Sequence, residues 1–149
     1  MCVTFVVLQC LARLRLGLHG LQIRLGRINH NRVPRVDRLC RLCSAVGAPF
    51  SGQRLGGACV EDLKHFVLEC PAYGHIRSRY TDVFGVAPNV CSDMLAIFDC
   101  DRQDQVAHAV YTMTLFRDEC LSCLQQDIAI NVDALQLAVE HDVELLRIS

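Results

Sequence analysis

Cys40-Arg-Leu-Cys43, followed after a glycine-rich stretch by His65-Phe-Val-Leu-Glu-Cys70, constrains this chain more than any other feature. Two thiolates two residues apart can hold one Zn²⁺ from a tight turn, and a later His and Cys complete a tetrahedron. Such a centre forces two distant segments together. It also fixes both ends of Ser44–Ala58, where Gly47, Pro49, Gly52, Gly56 and Gly57 read as a loop. A structureless loop of that length is unusual inside a compact domain unless its ends are tied.

The spacing carries one geometric demand. Residues five apart on an ideal helix point about 140° away from each other, at about 100° per residue. His65 and Cys70 therefore share a metal only if the chain leaves the helix near Glu69, and Pro71 supplies that stop. The competing reading makes Cys40, Cys43 and Cys70 buried thiols and His65 an ordinary surface residue, since free Cys is commonly buried. Arg38, Arg41 and the adjoining loop are poor surroundings for a core. Cys59 and His75 stand as alternative ligands.

Cysteine use also bears on compartment. Ten Cys in 149 residues falls below the roughly 8–10% of a small disulfide scaffold. Met1–Ala12 is apolar, but no basic residue precedes it, and Arg13 and Arg15 stand where a signal-peptide cleavage site belongs. The run is too short for a membrane span of about 20 apolar residues. These features predict an intracellular, reducing setting, nuclear or cytoplasmic, without a membrane partner. Clustered Cys there reads as metal binding before disulfide.

Periodicity predicts a mainly α fold with a short strand. Leu8, Leu11, Leu14 and Leu18 mark a helix to about Leu18, and the alternation Leu21, Ile23, Leu25 marks a strand over 21–27. Asn29–Asp37 is a polar connector. Glu61–Glu69 reads as a helix, and Ala72–Phe84 as a second with Tyr73, Ile76, Tyr80 and Val83 in one stripe. Val86–Val90 is a linker and Met94–Phe98 a short apolar piece. Asp104–Gln125, with Val106, Val110, Met113, Phe116 or Leu115, Cys120 and Leu124, is an amphipathic helix; Val132–Leu146 is another. These pieces group as an apolar, basic arm (1–36), a CCHC zinc module (37–84) and an acidic helical region (85–149).

The net charge of −1 conceals two opposed halves. Residues 1–80 hold twelve bases and four acids, a charge of +8; the remainder holds three Arg and twelve acids, a charge of −9. A basic half suits a polyanion, and Arg forks onto phosphate where Lys, present only as Lys64, offers a point charge. Opposed halves also suit a molecule that pairs with itself, and a solvated basic face is the bland alternative.

Catalytic signatures are missing: no P-loop, GxSxG, HExxH or paired-Asp polymerase motif occurs. Cys120-Leu-Ser-Cys123 falls within an amphipathic helix with no strand–turn–helix setting for redox work, so both read as core. A Cys59–His75 nucleophile has no further support.

Leu11-Ala-Arg-Leu-Arg-Leu-Gly17, Leu25-Gly-Arg27, Arg38-Leu-Cys-Arg-Leu-Cys43, Glu61-Asp-Leu-Lys-His65 and Cys70-Pro-Ala-Tyr73 with Arg77 occur in order over about residues 11–84. This series resembles the zinc-binding segment at the C-terminal end of non-LTR retrotransposon reverse transcriptases. The loop between Cys43 and Glu61 is longer than that pattern has, and past Phe84 the resemblance fades. It implies a fragment lacking the polymerase, with one structural Zn²⁺ on Cys40, Cys43, His65 and Cys70. It further implies RNA or DNA backbone as partner, contacted by Arg38, Arg41, Arg77 and Arg79, and the rest of a reverse transcriptase as a second partner. The rival expectation is a zinc-stapled structural fragment whose acidic half silences its basic half.

Overall fold

A computed structural model describes residues 5–28, 32–44, 59–85 and 91–148. The Ser44–Ala58 loop, apart from Ser44, and the Val86–Val90 linker lie outside the described residues. The protein is mainly helical. Helix α1 (Phe5–Arg15) is followed by α2 (Gln22–Ile28), a 3₁₀ turn (Arg35–Asp37) and α3 (Arg41–Ser44). A π-helical turn (His65–Glu69) and a 3₁₀ turn (Pro71–Tyr73) lead into α4 (Gly74–Arg77), α5 (Thr81–Phe84) and α6 (Met94–Asp99). Two long helices, α7 (Gln103–Gln125) and α8 (Val132–Ile148), complete the chain.

Helix α7 is the axis of the core. Its Val106, Ala107, Ala109, Val110, Met113, Phe116 and Cys120 are fully enclosed, and α1, α3, α4, α6 and α8 all pack on it. Val7, Leu11 and Leu14 of α1 join one continuous apolar cluster with Phe66, Tyr73, Ile76 and Phe84. Cys120 is buried in the same cluster and Cys123 is half-buried. No helix among the described residues is long and apolar enough to cross a membrane.

Three local expectations change. Helix α1 ends at Arg15 rather than Leu18, because Gly17 takes φ +70. The Leu18 N–H then reaches the Arg13 carbonyl at 2.7 Å and the Gly17 N–H the Leu14 carbonyl at 3.1 Å, a glycine-closed C-terminus of the Schellman type. Residues 21–27 form no strand; α2 lies there instead. Leu21 and Leu25 are also spaced for one helical face, and the free N–H groups of this helix start find an acceptor in Glu61. Gln22 N–H donates to Glu61 Oε2 at 2.8 Å and Ile23 N–H to the Glu61 carbonyl at 3.1 Å. A carboxylate at a helix N-terminus satisfies both the orphan donors and the helix dipole.

Of the stripe expected over Ala72–Phe84, Tyr73, Ile76 and Val83 are buried and Tyr80 is half-buried, but from three short turns, not one helix; Phe84 is buried as well. The chain bends at Ser78–Tyr80, where the Ser78 hydroxyl donates back to the His75 carbonyl at 2.8 Å. Among the described residues the only β pairing is the isolated antiparallel bridge Leu39–Val60.

A buried ion pair ties these parts together. Glu61 is 1% exposed and the Arg117 side chain 7%. The guanidinium meets the carboxylate through Nε–Oε1 and Nη2–Oε2, both at 2.9 Å, and donates to the Gly20 carbonyl at 3.2 Å. A forked pair of this kind, with Gln22 N–H as a further donor, fills most of the available acceptor sites.

Candidate metal centre

The two halves of the centre are built by different devices. On the first side, the Leu39–Val60 bridge aligns the chain, with Cys40 N–H on the Cys59 carbonyl at 2.7 Å and Glu61 N–H on the Arg38 carbonyl at 2.8 Å. The one-turn helix α3 then brings Cys43 back beside Cys40. Ser44 Oγ donates to the Cys40 carbonyl at 2.6 Å, closing that turn. On the second side, Asp62 caps the incoming helix, accepting from His65 N–H at 2.9 Å through Oδ1.

The demand that His65 and Cys70 converge is met by a widened turn. Cys70 N–H donates to the His65 carbonyl five residues back at 2.6 Å, the hydrogen bond that defines a π turn. Residues five apart then stack, removing the angular mismatch of an α-helix. Cys70 itself is extended (φ −62, ψ 123) and Pro71 starts the next turn. Arg77 steadies this corner, donating to the Cys70 carbonyl at 2.6 Å and the Val67 carbonyl at 3.5 Å.

One donor atom each from Cys40, Cys43, His65 and Cys70 lies within 4.8 Å of all the others. Cys40, Cys70 and His65 are buried, and Cys43 keeps some exposure. Sulfur–sulfur separations are 3.9 Å for Cys40–Cys70 and 3.6 Å for Cys43–Cys70, and Cys43 Sγ lies 3.5 Å from His65 Nε2. These are too long for disulfides, and all four thiol or imidazole groups point inward at one another. Zn–S bonds of about 2.3 Å and Zn–N bonds of about 2.0–2.1 Å imply tetrahedral edges of about 3.8 Å and about 3.6 Å respectively. The observed edges match. This Cys₃His group can hold a metal ion.

Compared with protein-family models, curated proteins and solved structures, the chain matches none.

The electrostatics point the same way. Hydrogen bonds with Cys40 and then Cys43, together with burial, hold the Cys70 thiol far above the ordinary range. Three sulfurs this close cannot ionise together without a cation among them, and a divalent ion reverses that preference. His65 Nδ1 is enclosed with no hydrogen-bond partner among the described residues, leaving Nε2 as the nitrogen aimed at the sulfurs.

The alternative ligands stand apart. Cys59 lies across the bridge from Cys40 but outside the four-residue group. His75 stacks edge-on against Phe116, with ring centroids 4.7 Å apart, and burial, then Arg79, lowers its pKa. In the second CxxC, burial, then Cys123, pushes the Cys120 thiol up to about 12, an inert thiol.

The four arginines assigned to nucleic acid divide. Arg38 donates to the Val33 carbonyl at 2.8 Å and the Ile23 carbonyl at 3.0 Å. Arg77 holds the Cys70 corner, and Arg79 pairs with Glu140 of α8. Arg41, exposed between two ligands, has no side-chain acceptor among the described residues. The Glu61–Arg117 pair escaped the sequence reading, although a signal existed. Positions 106, 110, 113, 117, 120 and 124 trace one helical stripe, and Arg117 is the charged residue on it.

Proposed function

We propose that this chain is a non-catalytic, zinc-stabilised module that binds the backbone of RNA or DNA beside its Cys₃His centre. The observation that carries the reading is the mutual proximity of the four donor atoms, all within 4.8 Å of one another. Thiolate and imidazole donors suit Zn²⁺, whereas Mg²⁺ and Ca²⁺ take oxygen ligands. Four protein ligands leave no position for water, so the ion is structural.

Phosphate contact falls first on Arg41. Arg35 supports it: its side chain is 71% exposed, and its 3.4 Å contact with Asp62 is a surface pair of small worth. Arg38 and Arg77 serve the scaffold through backbone carbonyls. The ordered motifs over residues 11–84 support descent from a reverse-transcriptase C-terminal segment, with the remainder of such an enzyme as a second partner.

A second reading, a zinc-stabilised protein-interaction fragment, is favoured by α1. Phe5 is 78% exposed and Leu8 47%, and Leu16 just beyond the helix is 73% exposed. Native mass spectrometry for one zinc per chain, followed by salt titrations with RNA and duplex DNA, separates the two. Arg41→Ala should weaken binding and reduce the salt slope by about 0.9 for duplex or about 0.7 for single strands. Affinity that ignores both salt and Arg41 sinks the nucleic-acid reading and leaves the interaction fragment. Deleting the acidic half is a poor substitute, because α7 is the core.

A further inference from the structure

Glu61 occupies an unusual place. It follows Val60, the bridge partner of Leu39, and precedes Asp62, the cap of the helix that carries His65. Its N–H is held by the Arg38 carbonyl, two residues before Cys40. Its backbone therefore belongs to the frame that sets the ligands. Its side chain belongs elsewhere: to the start of α2 through Gln22 and to α7 through Arg117. A second contact runs parallel. Phe66, next to His65, meets the Tyr73 ring edge-on at 5.0 Å, and Tyr73 meets Phe116, next to Arg117, at 6.4 Å.

From this juxtaposition we infer that metal occupancy is coupled, through the Glu61–Arg117 pair, to the docking of α7 and the α8 helix packed on it. The inference rests on the metal reading above and extends it. Bound metal cross-links 40–43 to 65–70 and so fixes the Leu39–Val60 bridge and Glu61. Without it, three crowded sulfurs have no cation, and the two segments rely on the Leu39–Val60 bridge, the Arg35–Asp62 surface pair and shared apolar packing. Once Glu61 shifts, Arg117 loses its forked, buried partner and keeps as counter-charge only the longer 3.7 Å contact with the exposed Asp118 carboxylate, which is strongly unfavourable for a buried guanidinium. The relief is for α7 to move until Arg117 reaches water. The element read out is therefore the acidic C-terminal half, some distance in sequence from every ligand.

The test is hydrogen exchange on the full chain, zinc-loaded and after EDTA, with metal content followed by native mass spectrometry. In the wild type, stripping the metal should speed exchange in α7 and α8 by about tenfold or more, and added Zn²⁺ should restore protection. The double substitution Glu61→Leu with Arg117→Met replaces the pair by apolar groups, a change that buried pairs often tolerate. It should still bind zinc, and stripping should then speed exchange mainly around residues 38–73, with the response of α7 and α8 clearly smaller than in the wild type. A wild type that loses its metal with α7 and α8 unchanged overturns the coupling. So does a double variant whose α7 responds as the wild type does, including by unfolding throughout. A wild type that never holds zinc fails earlier, at the metal reading itself, and takes the coupling with it.

Discussion

Cys43→Ser is the most informative single change at the metal centre. Cys40 and Cys70 are 1% and 0% exposed and His65 is 2%, so replacing any of them also perturbs packing. Cys43 keeps part of its surface and its loss reads mainly on the ion. Structural zinc in small domains contributes roughly 10–16 kcal/mol of apparent binding free energy. Divided over four ligands this is roughly 2.5–4 kcal/mol each, or about two to three decades in Kd. A competition titration against a chelating zinc indicator measures this directly. Cys59→Ser is the control: it sits opposite Cys40 across the bridge but outside the donor group, and its Kd should stay within a few-fold of wild type. An unchanged Kd in Cys43→Ser, or an equal loss in Cys59→Ser, would refute the ligand assignment.

Two further changes probe the core around the centre. The Tyr73 hydroxyl is buried with no partner among the described residues, so Tyr73→Phe should raise stability by about 1 kcal/mol in urea unfolding; a comparable loss would show that the hydroxyl is bonded. Cys120 tests alkaline behaviour, because its thiol holds its proton to about 12 in the fold against 9.0 in an unperturbed chain. The unfolded state therefore loses that proton first, and stability falls as pH rises from about 9 towards 12. Cys120→Ala should flatten this part of the stability–pH curve, and an identical slope would remove Cys120 as its cause.

Local chemistry was legible in the sequence; long-range satisfaction was not. The Cys40, Cys43, His65 and Cys70 set could be read because each pair lies within one turn of chain and Pro71 marks the corner. The π turn that brings His65 and Cys70 together has no comparable sequence mark. The long helices were readable for the same reason: their stripes repeat over enough turns to exclude a strand. Residues 21–27 were misread because Leu21, Ile23 and Leu25 fit both periods. The choice was made by Glu61, whose carboxylate and carbonyl accept from the first N–H groups of α2. The same residue decides Arg117. In isolation Arg117 interrupts an apolar stripe, and only the fold brings its partner to it.

The opposed charges of the two halves acquire a physical meaning from these contacts. A first half of +8 (residues 1–80) and a second of −9 could have served separate partners. Instead, named charges are spent across the boundary: Arg79 on Glu140 and, with the signs reversed, Glu61 on Arg117. The first is a partly exposed surface pair and weak. The second is buried, bidentate and tied to the frame of the metal centre. Removing the acidic half would expose the apolar face that α7 covers and leave Glu61 as an uncompensated buried carboxylate. A gain in nucleic-acid affinity on truncation would therefore mix unmasking with unfolding. Glu140→Gln avoids this, since it frees Arg79 without touching the buried pair. A steeper salt dependence in that variant would place Arg79 among the phosphate contacts, whereas an unchanged slope would confine contact to the Arg41 side of the centre.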